Sequence, residues 1–145
     1  MICKEIYLAS DHAGFELKSF LIEQLSLDKS ITIIDLGCSD SKTSVDYPDF
    51  ANDLCQKLDD SNKFGILICG SGIGMSIAAN RFKNIRAALC HDEEMAKLSR
   101  NHNNANILCL GARTLKNDKA LDIVKKFFAS VFEKGRHEIR IKKIT

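Results

Sequence analysis

The chain has no cysteine pair at C-x-x-C spacing. Its six cysteines stand at 3, 38, 55, 69, 90 and 109, which excludes zinc-ribbon and thioredoxin-like sites. Strong charge of either sign is also absent. The formal net charge is +2 over 145 residues, too small to draw nucleic acid or a membrane surface. No apolar run approaches the roughly 18 residues that a membrane-spanning helix requires. The start, MICKEIYLASDHAG, meets a charge at Lys4 before an apolar core can form, so it lacks the pattern of a signal peptide. Without export the thiols are expected to stay reduced, in the cytoplasm. Nothing repeats and no low-complexity or composition break divides the chain, so a single domain over 1–145 is expected.

What is present alternates. Short apolar runs at 5–10, 31–37, 64–69, 85–90 and 106–111 are mostly β-rich and bounded by Gly, Asp or Asn, as buried strands are. The fourth, with two alanines, is the weakest. Helical patterns lie between them. Leu17, Phe20, Leu21 and Leu25 share one face, as do Phe50, Leu54 and Leu58 after Pro48, the chain's one proline. Asp92 suits the N-cap of a helix running through Arg100, with Glu93 and Glu94 in its first turn. Leu121, Val124, Phe128 and Val131 predict a helix over about 118–134, stopped by Gly135. Strand and helix in alternation mean right-handed crossovers and a parallel sheet covered on both faces. Ligands of such folds bind at the carboxyl ends of the strands. There the chain delivers Asp11 and His12, then Cys69 and a glycine loop, then His91 and Asp92, then Arg113.

The loop is ILICGSGIGMS, 66–76. Its glycines at 70, 72 and 74 match neither the dinucleotide pattern GxGxxG nor a phosphate loop ending in GK[ST]. A helix predicted over about 73–81 points its amino end at the loop, where free N–H groups favour an anion. By itself the loop reads equally as a tight turn between strand and helix. Cys69 stands at its base, where N–H groups and a helix dipole favour a thiolate; a buried strand-end cysteine is the alternative. The other cysteines read as core residues. His102, in SRNHNNANIL, reads as a helix-end histidine or an acid. Arg136 and Arg140, four apart in GRHEIRIKKIT, share a face if the tail is helical, as a phosphate clamp or as a solvated basic tail.

Taken together, ASDHAGFELK, DLG, DYPDFA, ILICGSGIGMSIAANRF, IRAALC, LSRNHNNANILCLGAR and GRHEIRI resemble the type B ribose-5-phosphate isomerases, a family that includes galactose-6-phosphate and allose-6-phosphate isomerases. The resemblance runs nearly end to end. It implies a three-layer α/β/α Rossmann-like sandwich with five parallel strands in the order 2-1-3-5-4. It implies a homodimer at least, with tetramers open, and conversion of ribose 5-phosphate to ribulose 5-phosphate without metal or organic cofactor. Residue by residue, it implies that Cys69 is the base. Ser71 and the N–H groups of Gly70, Ser71, Gly72, Ile73 and Gly74 would stabilise the enediolate. His102 would be the ring-opening acid, partnered by Asp11, which also contacts substrate. Asn103 would hold sugar hydroxyls. His12, Arg113, Arg136 and Arg140 would surround the phosphate, the last two from the segment at about 135–145. Some members carry a glutamate where this chain has Met75, which places this chain with the members that use cysteine. Tyr47, in the DYP motif, receives no role.

A helix that begins at the carboxyl edge of strand four runs ~15 Å back across the sheet in ten residues. His102 is therefore expected far from its own Cys69, and sites completed by a second copy are expected. A six-carbon sugar phosphate as substrate and a non-catalytic sugar-phosphate-binding module are the alternatives. The glycine spacing argues against a nicotinamide enzyme.

Overall fold

Five apolar runs pair as parallel strands, because each connection between them is long enough to carry the chain back across the sheet. In the computed structural model, which describes residues 4–144, the strands are β1 (Lys4–Ser10), β2 (Ile31–Asp35), β3 (Lys63–Cys69), β4 (Ala87–Leu89) and β5 (Ile107–Gly111). Their order is β2-β1-β3-β5-β4, the order that the resemblance implies. The helices are α1 (Phe15–Leu25), α2 (Tyr47–Cys55), α3 (Ile73–Ala79), α4 (Glu93–Asn103), α5 (Asn117–Ala129) and α6 (Arg136–Lys142). Cys3 lies outside the described residues. Among those residues no helix is long and apolar enough to cross a membrane.

The period of two along each strand divides the core. Ile6 and Leu8 of β1 face one side with Leu17 and Leu21 of α1 and Ile123, Val124 and Phe127 of α5. Tyr7 and Ala9 face the other, with Ala51 and Leu54 of α2 and Met75 and Ala79 of α3. Both faces are thus covered, which makes the sheet the middle of three layers. Each large aliphatic side chain buried there contributes ~2 kcal/mol by leaving water.

Two expectations are corrected. The fourth run is paired in register only at Ala87, Ala88 and Leu89; it is an edge strand, its flanking Ile85 and Cys90 are buried in the core, and the Cys90 N–H still donates to the Cys109 carbonyl of β5. The helix expected over 118–134 ends at Ala129, and Ser130 is extended. Val131, counted into the apolar face, is 75% exposed. Gly135 does not stop α5; at φ +60° it stands at the entry of α6. The segment 130–135 instead folds back on the end of α4, where the Glu133 N–H donates to the Asn101 carbonyl at 3.0 Å.

A fully buried lysine organises the loop after β2. Lys18 Nζ donates to Asp35 Oδ1 at 2.6 Å and to the Cys38 carbonyl at 3.0 Å. Lys18 is inaccessible, whereas the Asp35 side chain is 48% exposed. The loop is then pinned to β1: the Ser10 N–H donates to the Gly37 carbonyl and the Cys38 N–H to the Ser10 carbonyl. The asymmetry in burial sets an order of stabilities. Asp35→Ala leaves a buried ammonium unpaired and is expected to lower stability by about 2–3 kcal/mol, after allowance for the carboxylate's contact with water. Lys18→Met removes the buried charge itself and leaves one carbonyl unmet, a loss of about 1–2 kcal/mol. Urea unfolding of both variants checks this; the reverse order would contradict it.

Candidate active site

All five strands run the same way, so one edge of the sheet collects the residues that follow them. β1 and β3 are neighbours, and their connections leave toward opposite ends of the sheet, which opens a crevice between their carboxyl ends. A cleft of about 600 Å³ lies there, and Asp11, Cys69, Gly70, Ser71, Ile73, Gly74 and Arg113 all line it, with Tyr47, Ile77 and Thr114.

Cys69 ends β3 at the floor of the cleft, 5% exposed. Its sulfur accepts the Gly72 N–H at 3.2 Å. Gly72 itself has φ +79°, a region where a side chain is strained, and so lets the chain turn directly from this bond into α3. Among the described cysteines only Cys69 receives a backbone N–H at sulfur. Where Cys38, Cys55 and Cys90 bond to backbone, the thiol faces a carbonyl, that of Asp40, Ala79 and Ala88 respectively. Burial pushes Cys55 up to about 12 and Cys90 up to about 11. Burial likewise drives Cys109 well above the usual thiol range. These three are neutral packing groups at pH 7.

The loop's donors are now divided. The Gly72 N–H serves the sulfur, and the Ile73 N–H donates to Ser71 Oγ at 3.2 Å. The N–H groups of Gly70, Ser71 and Gly74 have no hydrogen-bond acceptor among the described residues. Within the run 70–74 these three are the backbone donors left to a ligand, with those of Gly72 and Ile73 already engaged. Arg113 leans over the loop: a Cβ on Gly70 would come 3.0 Å from its Nη1. The Tyr47 ring packs against Gly74, where a Cβ would sit 2.5 Å from Cζ. Sequence reading gave Tyr47 no role; it is a wall of the cleft, delivered by the first residue of α2. Met75 is fully buried in the core beneath the loop.

Asp11 follows β1. Its Oδ1 accepts the Gly14 N–H at 3.1 Å, capping a short 3-10 turn over His12–Gly14. His12, next along, accepts the Val45 N–H at Nδ1, 3.2 Å. That bond places the proton of the neutral ring on Nε2, which becomes a donor.

His102, Asn103, Arg136 and Arg140 are elsewhere. Asp92 caps α4 through the Met95 N–H at 2.8 Å, and Asn104 in left-handed conformation ends it. The helix therefore starts at the carboxyl edge of the sheet and finishes at the amino edge, just before β5. Register measures the separation along the sheet: Gly65 pairs with Ile107 and Cys69 with Gly111, a climb of ~13 Å over four residues. α6 packs on the end of α4, so its two arginines share that edge with His102. Asp11 and His102, expected as partners, are not brought together within one chain. Two further residues there were missed from sequence, Glu133 and His137. His137 is buried and its ring stacks on His102, with centroids 4.2 Å apart and planes 10° apart.

The fold and cleft have counterparts. The ribose/galactose isomerase family model matches residues 6–144. Ribose-5-phosphate isomerase B of Escherichia coli is 38% identical over 143 residues, covering 98% of this chain and 95% of that protein. Ribose 5-phosphate isomerase B from Anaplasma phagocytophilum superposes with a TM-score of 0.94 at 49% identity, over 100% of this chain and 99% of that one. Ribose-5-phosphate isomerase B from Mycoplasma genitalium, solved with bound ribulose-5-phosphate, gives 0.89 at 40% identity, over 99% and 95%. The chain belongs to the ribose/galactose isomerase family.

Proposed function

We propose that this protein interconverts ribose 5-phosphate and ribulose 5-phosphate, with Cys69 as the base and with each site completed by a second copy. The observation that carries the reading is the Cys69 sulfur at the floor of an open cleft with a backbone N–H directed at it. That arrangement suits a sulfur that must hold negative charge between proton transfers.

The chemistry has two parts. Ribose 5-phosphate is a ring; it opens when an acid protonates the ring oxygen while a base takes the anomeric hydroxyl proton. His102 of a second copy supplies the acid and Asp11 lies at the cleft to take the hydroxyl proton. The Cys69 thiolate then takes the proton from C2, leaving a C1–C2 double bond and a negative charge on oxygen. Ser71 and the free N–H groups of Gly70, Ser71 and Gly74 stabilise that charge, each donor worth ~3 kcal/mol in comparable sites. Return of the proton to C1, with the O2 proton moving to O1, completes the ketose and restores the thiolate. Arg113 and His12 reach the phosphate from the Cys69 side, and Arg136 and Arg140 from the partner.

An exposed apolar pair supports the dimer. Ile73 and Ile77, one turn apart on α3 at the lip of the cleft, are 53% and 54% exposed, an apolar surface for a second copy to cover. Bringing the partner's amino-edge cluster over that lip unites acid, base and phosphate ligands. Turnover measured side by side on ribose 5-phosphate, allose 6-phosphate and galactose 6-phosphate tests the substrate. The five-carbon sugar is expected to give kcat/KM at least tenfold above the others, the discrimination that one fitted hydroxymethylene supplies. A preference for either six-carbon sugar would overturn it.

A further inference from the structure

Three side chains from two elements and a loop meet here, the proposed acid His102 among them. Glu133 comes from the segment 130–135, held in place by its N–H bond to Asn101 in the last turn of α4. Its Oε2 lies 3.8 Å from His102 Nε2 and 3.7 Å from His137 Nε2. The two imidazoles are face to face. His137, the inner ring, is buried, while the His102 side chain is 38% exposed. So the outer ring is free to meet a ligand on one face and is backed on the other.

The set His102, Glu133, His137 also carries the donors of a two-histidine, one-carboxylate metal site. The geometry disfavours that use. A metal lies in the plane of each imidazole that binds it, and two rings within 10° of parallel aim their nitrogens side by side rather than at one point. Arg136 and Arg140, whose charges reach His137, further repel a cation.

An imidazole that must deliver a proton to one ring oxygen has to be held in one plane, and His102 on its own helix end is half in solvent. We infer that Glu133 and His137 are positioning residues for ring opening: His137 fixes the plane of the His102 imidazole by stacking, and the Glu133 carboxylate fixes its edge. The inference rests on the reading of His102 as the ring-opening acid. The charges agree with it. Burial, followed by the neighbouring His102 and Arg136, holds His137 below the usual histidine range, with Glu133 opposing and Arg140 adding to the effect. The inner ring is therefore neutral at pH 7 and does not set a second imidazolium against the outer one.

The test separates ring opening from the proton shuttle. Ribulose 5-phosphate cannot close a furanose, because its C5 oxygen carries the phosphate. Exchange of its C1 hydrogen with deuterium in D₂O, read by NMR, therefore reports the Cys69 step without ring opening. His137→Ala and Glu133→Ala are each expected to lower kcat on ribose 5-phosphate by between ~10-fold and ~100-fold, the effect of misplacing a reacting group by about 1 Å. Exchange at C1 of ribulose 5-phosphate should stay within about threefold of wild type. His137→Phe, which keeps a flat ring for stacking, should recover most of the loss seen in His137→Ala. Equal loss in both assays would mean that the two residues merely support the phosphate ligands of α6, and would overturn the inference. His102→Ala is the reference. If it lowers both assays alike, the reading of His102 itself fails; if it separates them and the Glu133 and His137 variants do not, only the positioning role fails.

Discussion

Cys69→Ala is expected to lower kcat on ribose 5-phosphate by ~10⁴-fold, the upper range of what one positioned base contributes. Binding of ribulose 5-phosphate, measured by calorimetry, should stay within about threefold, because the proposed mechanism gives the sugar and phosphate contacts to other side chains. Three observations make the expected loss large. The sulfur alone among the described thiols accepts a backbone N–H. The residue a turn beyond it, Met75, is buried and offers no proton acceptor. Asp11 is tied by its carboxylate to the Gly14 N–H, which limits its approach to a carbon. Removing one sulfur atom from a nearly buried site should lower stability by only about 1 kcal/mol, so a folded, ligand-binding, inactive protein is the anticipated product. Cys69→Ser should behave alike, since a serine hydroxyl is a far weaker acid than a thiol and its alkoxide is not available as a base. Turnover of either variant within tenfold of wild type would remove Cys69 as the base.

Much of this was legible from the sequence, and the exceptions have physical causes. Short apolar runs with Gly, Asp and Asn at their ends located all five strands, because buried parallel strands are continuous apolar stretches with abrupt boundaries. Strand order was not legible: Leu67 and Ala9 are equally apolar whichever neighbour they meet, and only the resemblance supplied the order. The end of α5 was misplaced because Val131 continues an apolar spacing although it faces water; spacing records what could be buried, not what is. Tyr47 escaped because its partner is Gly74, and a glycine leaves no pattern that names what lies against it. Glu133 and His137 escaped for a different reason. Their meeting with His102 depends on the turn at 130–135, where Lys134 has φ +62°, and nothing in the residue types of SVFEKG announces that fold-back. In contrast, the distance between Cys69 and His102 was readable from helix length alone, since an α4 capped at Asp92 must finish at the opposite edge.

That distance makes the second large expectation. Cys69→Ala protein and His102→Ala protein, each inactive alone, should regain activity when subunits are exchanged. In a hybrid dimer with sites built across the interface, one site inherits both substitutions and the other inherits neither. Equal mixing produces hybrids in half of the dimers, and half of their sites are intact, so activity should reach about a quarter of wild type by symmetry alone. The two parents differ at opposite edges of the sheet, so neither substitution disturbs the half-site that the other needs. Exchange must be verified independently, for example by mass spectrometry of differently labelled parents. The recovered activity should follow the hybrid fraction and carry the wild-type KM, because the surviving site has every native ligand. If instead His102 served its own chain's cleft, both sites of each hybrid would lack a group and no mixture would exceed its parents. With hybrids present and activity flat, the shared-site reading would be wrong, and α4 would have to deliver His102 to Cys69 across a strand length that its own cap at Asp92 forbids.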